Sequence, residues 1–175
     1  MNQLINKVKM LEFPKFVEKD EDGKWGRNFI AITDSESIPF EIKRIFYIYG
    51  VESKELVRGK HANRKSEFVL FNISGSSKVR IISEDSRMEV YTLDRPNVGL
   101  YLPHMIWKEM YEFSEDSVMM VLSSEGYDAE EYIRNFDEFV HEVHAMRHGK
   151  YKNREKRKQT VKWRRKEPCK LSTPS

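Results

Sequence analysis

From about Phe29 to Ser123 the chain alternates short runs of Ile, Val, Phe and Tyr with polar clusters, the period-two rhythm of antiparallel strands. Candidate strands run from Asn28 to Ile32, Ile42 to Tyr49, Glu67 to Ile73, Lys78 to Ile82, Arg87 to Leu93, Val98 to Leu102, Ile106 to Phe113 and Ser117 to Ser123. Short turn formers separate them, among them Ser74-Gly75-Ser76, Glu84-Asp85-Ser86 and Asp94-Arg95-Pro96-Asn97. Regular spacing of this kind predicts an all-β sandwich or jelly roll and argues against a βαβ fold. After Tyr127 the period changes. Tyr132, Ile133, Phe136, Phe139, Val140 and Val143 fall at helical spacing, with Asp128 placed to cap and Glu130 and Glu131 in the first turn. One C-terminal helix packed on the barrel is expected.

Apolar residues thin out beyond Gly149, so the chain divides into a folded domain over 1–148 and a basic tail over 149–175 too polar to order itself. Charge sharpens this division. Residues 147 to 175 carry 12 Lys and Arg against Glu155 and Glu167, which leaves a tail of about +10 and a body of about −7 inside a net charge of +3. The basic balance therefore belongs to an appendage and does not mark a nucleic-acid-binding domain. Solvation is the plain reading of the tail. The tail's charge also admits an acidic protein partner, and Trp163 among Lys162, Arg164, Arg165 and Lys166 admits a membrane interface or a nucleic acid. No stretch approaches the roughly 18 apolar residues of a membrane span, and the N-terminus lacks a signal-peptide pattern. Cys169 is the single cysteine, which excludes an internal disulfide and a cysteine metal cluster. A cytoplasmic, reducing setting is expected.

The segment from Arg58 to Glu67, RGKHANRKSE, carries the candidate chemistry. Strand alternation places His61 and Asn63 on one face. With Glu67 they would gather an imidazole, an amide and a carboxylate in a concave interior, where small-molecule sites are usually built. The plainer alternative has His61 merely satisfying a turn carbonyl. His61, Asn63 and Glu67 also mimic a metal-ligand spacing, but Asn is a poor transition-metal ligand and His104 is the only further histidine available on a later strand. No metal and no cofactor are expected.

Four blocks resemble, in order, those of the dTDP-sugar 3,4-ketoisomerase family of WxcM-like cupins. They are PFEIKRIFYIYG (Pro39 to Gly50), RGKHA (Arg58 to Ala62), GLYLPHMIWKEMYEFSEDSVMMVLSS (Gly99 to Ser124) and YDAEEYIRNFDEF (Tyr127 to Phe139). The resemblance covers roughly residues 10 to 140 and implies a jelly-roll cupin, a homodimer and metal-free chemistry. It also implies transfer of the keto group of a nucleotide-linked 4-oxo-6-deoxyhexose from carbon 4 to carbon 3. The chain departs from the family pattern at three places. Asn63 stands where the second histidine of His-Ala-His is usual, Phe68 replaces a Gln, and Lys108 replaces the His that often follows the Ile-Trp pair.

Such a reaction needs a base for the proton on carbon 3 and an acid for carbon 4 of the enediol. Imidazole suits both, and His61 is the expected base. Tyr47, Tyr49, Arg58 and the Asn63 amide are the donors available to the developing oxyanion. Tyr47 and Tyr49 share one strand face, which would turn both into the barrel or make both packing residues. Asn63 cannot act as a base at neutral pH, so three readings stand open. His61 performs both transfers, or a tyrosine or water supplies the second proton, or the protein binds a sugar nucleotide without isomerising it. A related keto-sugar epimerase is a further alternative. For the dTDP-linked keto sugar itself, Arg44 and Arg58 suit the phosphates, and Tyr101 or Trp107 would stack on the base, unless Trp107 fills the core between sheets.

Overall fold

The computed structural model describes residues 4–19, 21–31, 36–53 and 55–148. The basic tail, with Trp163 and Cys169, lies outside the described residues. Each predicted strand is present, and the alternation that predicted them sets their faces. The strands are β1 (Lys9–Glu12), β2 (Lys15–Lys19), β3 (Trp25–Ala31), β4 (Arg44–Tyr49), β5 (Arg58–Asn63) and β6 (Phe68–Ser74). They continue with β7 (Ser77–Ile82), β8 (Met88–Leu93), β9 (Val98–Leu102), β10 (Trp107–Tyr111), β11 (Val118–Ser123) and the short β12 (Tyr132–Ile133). All pairings are antiparallel. One sheet has the order β1-β9-β6-β11-β4, the other β12-β5-β10-β7-β8, while β2 and β3 form a separate ribbon. This is the all-β double sheet expected.

The two sheets pack through one cluster that joins Leu70, Leu100 and Val121 of the first to Val79 and Ile81 of the second. A second cluster, Phe13, Ile38, Val69, Phe71 and Leu122, covers the outer face of the first sheet. On β6, Leu70 therefore points in while Val69 and Phe71 point out, each side apolar because each side is covered.

The helix is shorter than predicted. α1 spans Phe136–Arg147, and its N-cap is Asn135, whose side chain accepts from the Glu138 N–H at 2.9 Å. Asp128 caps only the 3₁₀ turn Ala129–Glu131, and Tyr132 and Ile133 enter the sheet as β12 beside Asn63 and Ala62. Sheet pairing at β5 outcompetes the helical spacing there. Phe136 and Phe139 of α1 pack on Trp107, with ring centroids 5.2 and 5.9 Å away. The outer face of β10 thus lies under the helix. Arg64 ties these parts together: its guanidinium meets Glu142 at 2.8 Å and Glu138 at 2.9 Å, and donates to the Glu130 carbonyl at 2.7 Å. Among the described residues no helix is long and apolar enough to cross a membrane.

Candidate functional site

His61 on β5 lies directly opposite Lys108 on β10. Opposed residues of an antiparallel pair share a face, so imidazole and ammonium project side by side into the space between the sheets. Asn63 shares that face, as predicted. Lys108 Nζ donates to Asn63 Oδ1 at 2.6 Å, and Asn63 Nδ2 donates to Glu131 Oε1 at 3.1 Å. Glu131 is buried and also accepts from the Ser66 N–H at 3.1 Å and from the Ser66 hydroxyl. From the facing sheet, Phe68 presents its ring with the centroid 4.7 Å from Lys108 Nζ. The row from Lys108 through Asn63 to Glu131 is a buried polar chain whose members satisfy one another.

The backbone positions the imidazole. His61 Nδ1 lies 2.9 Å from the Gly59 carbonyl oxygen, which can only accept, so Nδ1 carries the proton and Nε2 is the proton-accepting nitrogen. Burial, then the Lys108 ammonium, holds the His61 pKa down to about 4, so the ring is neutral near pH 7. Burial likewise brings Lys108 down to about 7, partly countered by Glu131. Gly59 has φ +88°, and an added Cβ would stand 2.7 Å from the Lys108 backbone oxygen. Gly59→Ala is therefore expected to cost about 1–3 kcal/mol or more in denaturant unfolding, because it combines a strained φ with a backbone clash.

An aromatic and basic rim adjoins His61. Tyr132 packs against it with centroids 4.9 Å apart and the ring planes tilted by 51°, Tyr127 lies 6.1 Å from Tyr132, and Arg134 sits over the Tyr132 ring at 4.7 Å. Arg44 closes the row with its guanidinium carbon 5.7 Å from the Tyr127 centroid. Its Nη2 reaches Ser123 Oγ at 3.4 Å, while its buried Nε makes no hydrogen bond.

The other expected site residues lie elsewhere. Tyr47 and Tyr49 are 54% and 73% exposed: on β4 it is Arg44, Phe46 and Ile48 that turn inward, and the tyrosines point out. Tyr101 belongs to the outer cluster, where its ring lies 6.4 Å from Phe40. Glu67 sits with Tyr101 there, not with His61 and Asn63, and together with burial it pushes the Tyr101 hydroxyl up to about 12. Trp107 is under α1, neither between the sheets nor beside the rim. Arg58 is exposed at the start of β5. Burial holds the His104 pKa below the usual imidazole value, with Glu67 opposing, and no group of three or more His, Cys, Asp or Glu able to hold a metal occurs among the described residues. Sequence reasoning missed the site roles of Glu131 and Tyr132, which the helical spacing had placed in the C-terminal helix, and it did not single out Arg134. It noticed Lys108 only as a departure, although alternation with Met110 on β10 marks it as inward-facing.

The family model described as "FdtA: WxcM-like, C-terminal" matches residues 6–144. The chain belongs to this family. A TDP-4-oxo-6-deoxy-alpha-D-glucose-3,4-oxoisomerase from Aneurinibacillus thermoaerophilus is 42% identical over 131 residues, which cover 75% of this chain and 88% of that relative. The TDP-fucose-3,4-ketoisomerase WlaRA from Campylobacter jejuni is similar in structure, with 34% identity, a TM-score of 0.67 and coverage of 76% of this chain and 93% of that one. So is a histidine-to-asparagine variant of the 3,4-ketoisomerase QdtA from Thermoanaerobacterium thermosaccharolyticum in complex with TDP-4-keto-6-deoxyglucose, at 34% identity, TM-score 0.67, and 77% and 92% coverage. The WxcM-like match holds every residue of the His61 cluster and its rim, and ends before the basic tail.

Proposed function

We propose that this chain is an isomerase that moves the keto group of dTDP-4-oxo-6-deoxyglucose from carbon 4 to carbon 3 in deoxysugar biosynthesis. The observation that carries the reading is His61, a neutral imidazole whose Nδ1–H is committed to Gly59 and whose Nε2 is left to accept a proton inside a WxcM-like sandwich. His61 takes the proton on carbon 3, and the electron pair it leaves forms the enediolate. Arg44 and Arg134 at the rim serve the diphosphate, and Tyr127 and Tyr132 offer aromatic faces beside them.

The decisive test is NMR of the protein with dTDP-4-oxo-6-deoxyglucose in D2O. A 3-oxo product is expected, with ring deuterium wherever the proton held by His61 exchanges with solvent before its return at carbon 4. The competing reading, a sugar-nucleotide-binding cupin, draws on Asn63 and predicts binding with neither exchange nor product. Arg44→Ala and Arg134→Ala are each expected to weaken TDP binding by about 10-fold or more in calorimetry, the loss of a charge-assisted hydrogen bond. A cytoplasmic homodimer accompanies this reading. It is supported by the exposed apolar row of Ile45, Tyr47 and Tyr49 on edge strand β4, and sizing by light scattering checks it.

A further inference from the structure

Lys108 is the only buried lysine among the described residues, at 6% exposure. A buried ammonium is costly, and such residues persist where they serve a site. The three positions at which the chain departs from the family pattern meet at Lys108, whose Nζ is 2.6 Å from Asn63 Oδ1 and 4.7 Å from the Phe68 centroid. An imidazole at 63 would compete with the ammonium for protons. An amide instead accepts from Lys108 on one side and donates to Glu131 on the other. The departures are thus mutually consistent, and they place a second acid-base group beside His61.

Resting on the isomerase reading, we infer that Lys108 is the second catalytic acid-base residue, carrying a proton between the two substrate oxygens while His61 carries one between the two carbons. As His61 removes the carbon 3 proton, the C–H pair forms the C3=C4 double bond and the carbonyl pair moves to the carbon 4 oxygen. The Lys108 ammonium gives that oxygen a proton. The neutral amine then takes the proton from the carbon 3 hydroxyl as the new carbonyl forms, and the double-bond pair takes the proton of the His61 imidazolium at carbon 4. Both residues end as they began, with no outside reagent. The amide of Asn63 holds Nζ in place without exchanging protons.

The pH behaviour follows from the groups around Nζ. These are His61 on β5 and Glu131 ahead of β12, with Arg134 acting on the His61 side, while β7 presents Ile81 and β6 presents Phe68. His61 must be neutral and Lys108 protonated for the first step. With Lys108 brought down to about 7, kcat/KM should fall as pH rises through about 7, because kcat/KM reports the unliganded protein.

The test compares the full chain with Lys108→Met and Lys108→Arg, following product and ring deuterium by NMR, TDP binding by calorimetry and kcat/KM against pH. Arginine keeps the charge but does not release its proton in this range. Expected for both variants are TDP affinity within about threefold, kcat lowered by about 10²–10⁴-fold, and loss of the alkaline limb near pH 7. Should Lys108→Met fail to fold, Lys108→Arg decides alone. Turnover by an active wild type that survives in Lys108→Arg, with the alkaline limb unchanged, overturns the inference and leaves the isomerase reading intact. A wild type that binds TDP but neither exchanges nor forms product overturns the isomerase reading and the inference with it.

Discussion

His61→Ala should lower kcat by about 10²–10⁴-fold while TDP affinity stays within about threefold. The split follows from geometry, since the rim proposed to meet the nucleotide is built from Arg44, Tyr127, Tyr132 and Arg134, whereas His61 faces Lys108 and Asn63 between the sheets. In the wild type the acid limb of kcat/KM should lie near pH 4, because burial and Lys108 bring the imidazole to about 4 and only its neutral form is a base. An unperturbed imidazole would give a limb near 6.5. The same shift enters stability. His61 has a depressed pKa in the folded state, so the unfolded chain binds more protons between pH 6.5 and 4. Its contribution to stability is fully present above about 6.5 and is lost as pH falls through about 4. His61→Ala should therefore flatten the acid side of a stability-against-pH curve measured by urea unfolding.

Arg64→Ala should lower unfolding free energy by about 3–5 kcal/mol, the cost of removing one partner from a buried ion pair. Glu142 is 3% exposed and receives Arg64 through both Nε, at 2.9 Å, and Nη2, at 2.8 Å. The same guanidinium also reaches the carbonyls of Glu130 and Tyr132. Without it a buried carboxylate loses its cation, and two carbonyls beside β12 lose a donor. Urea unfolding should show a lower midpoint at an unchanged slope. Arg64→Lys should recover only a minor part, because an ammonium cannot reproduce the fork that holds Glu142 and Glu138 together. Since β12 carries Tyr132 and leads into Arg134, KM for the keto sugar should rise in both variants.

Local pattern was enough for eight of the strands, the turns between them and the existence of a terminal helix, because alternation and helical spacing are written in consecutive residues. It was also enough to put His61 and Asn63 on one face. Period two, however, separates two faces without saying which one meets the other sheet. On β4 the basic and apolar set, Arg44, Phe46 and Ile48, turned inward, and Tyr47 and Tyr49 turned out at the open edge. On β9 and β10 both faces are covered, one by the N-terminal segment and the other by α1, so Tyr101 and Trp107 are half-buried or buried without lining the interior. Glu67 left the His61 face for Tyr101, and Asp128 lost the helix to Asn135 once Tyr132 and Ile133 found strand partners on β5. The meeting of Lys108, Asn63, Glu131 and Phe68 joins residues up to 68 positions apart. No local rule places them in one buried row. Only the folding of one sheet over the other does, and the desolvation that adjusts His61 and Lys108 arises from that closure.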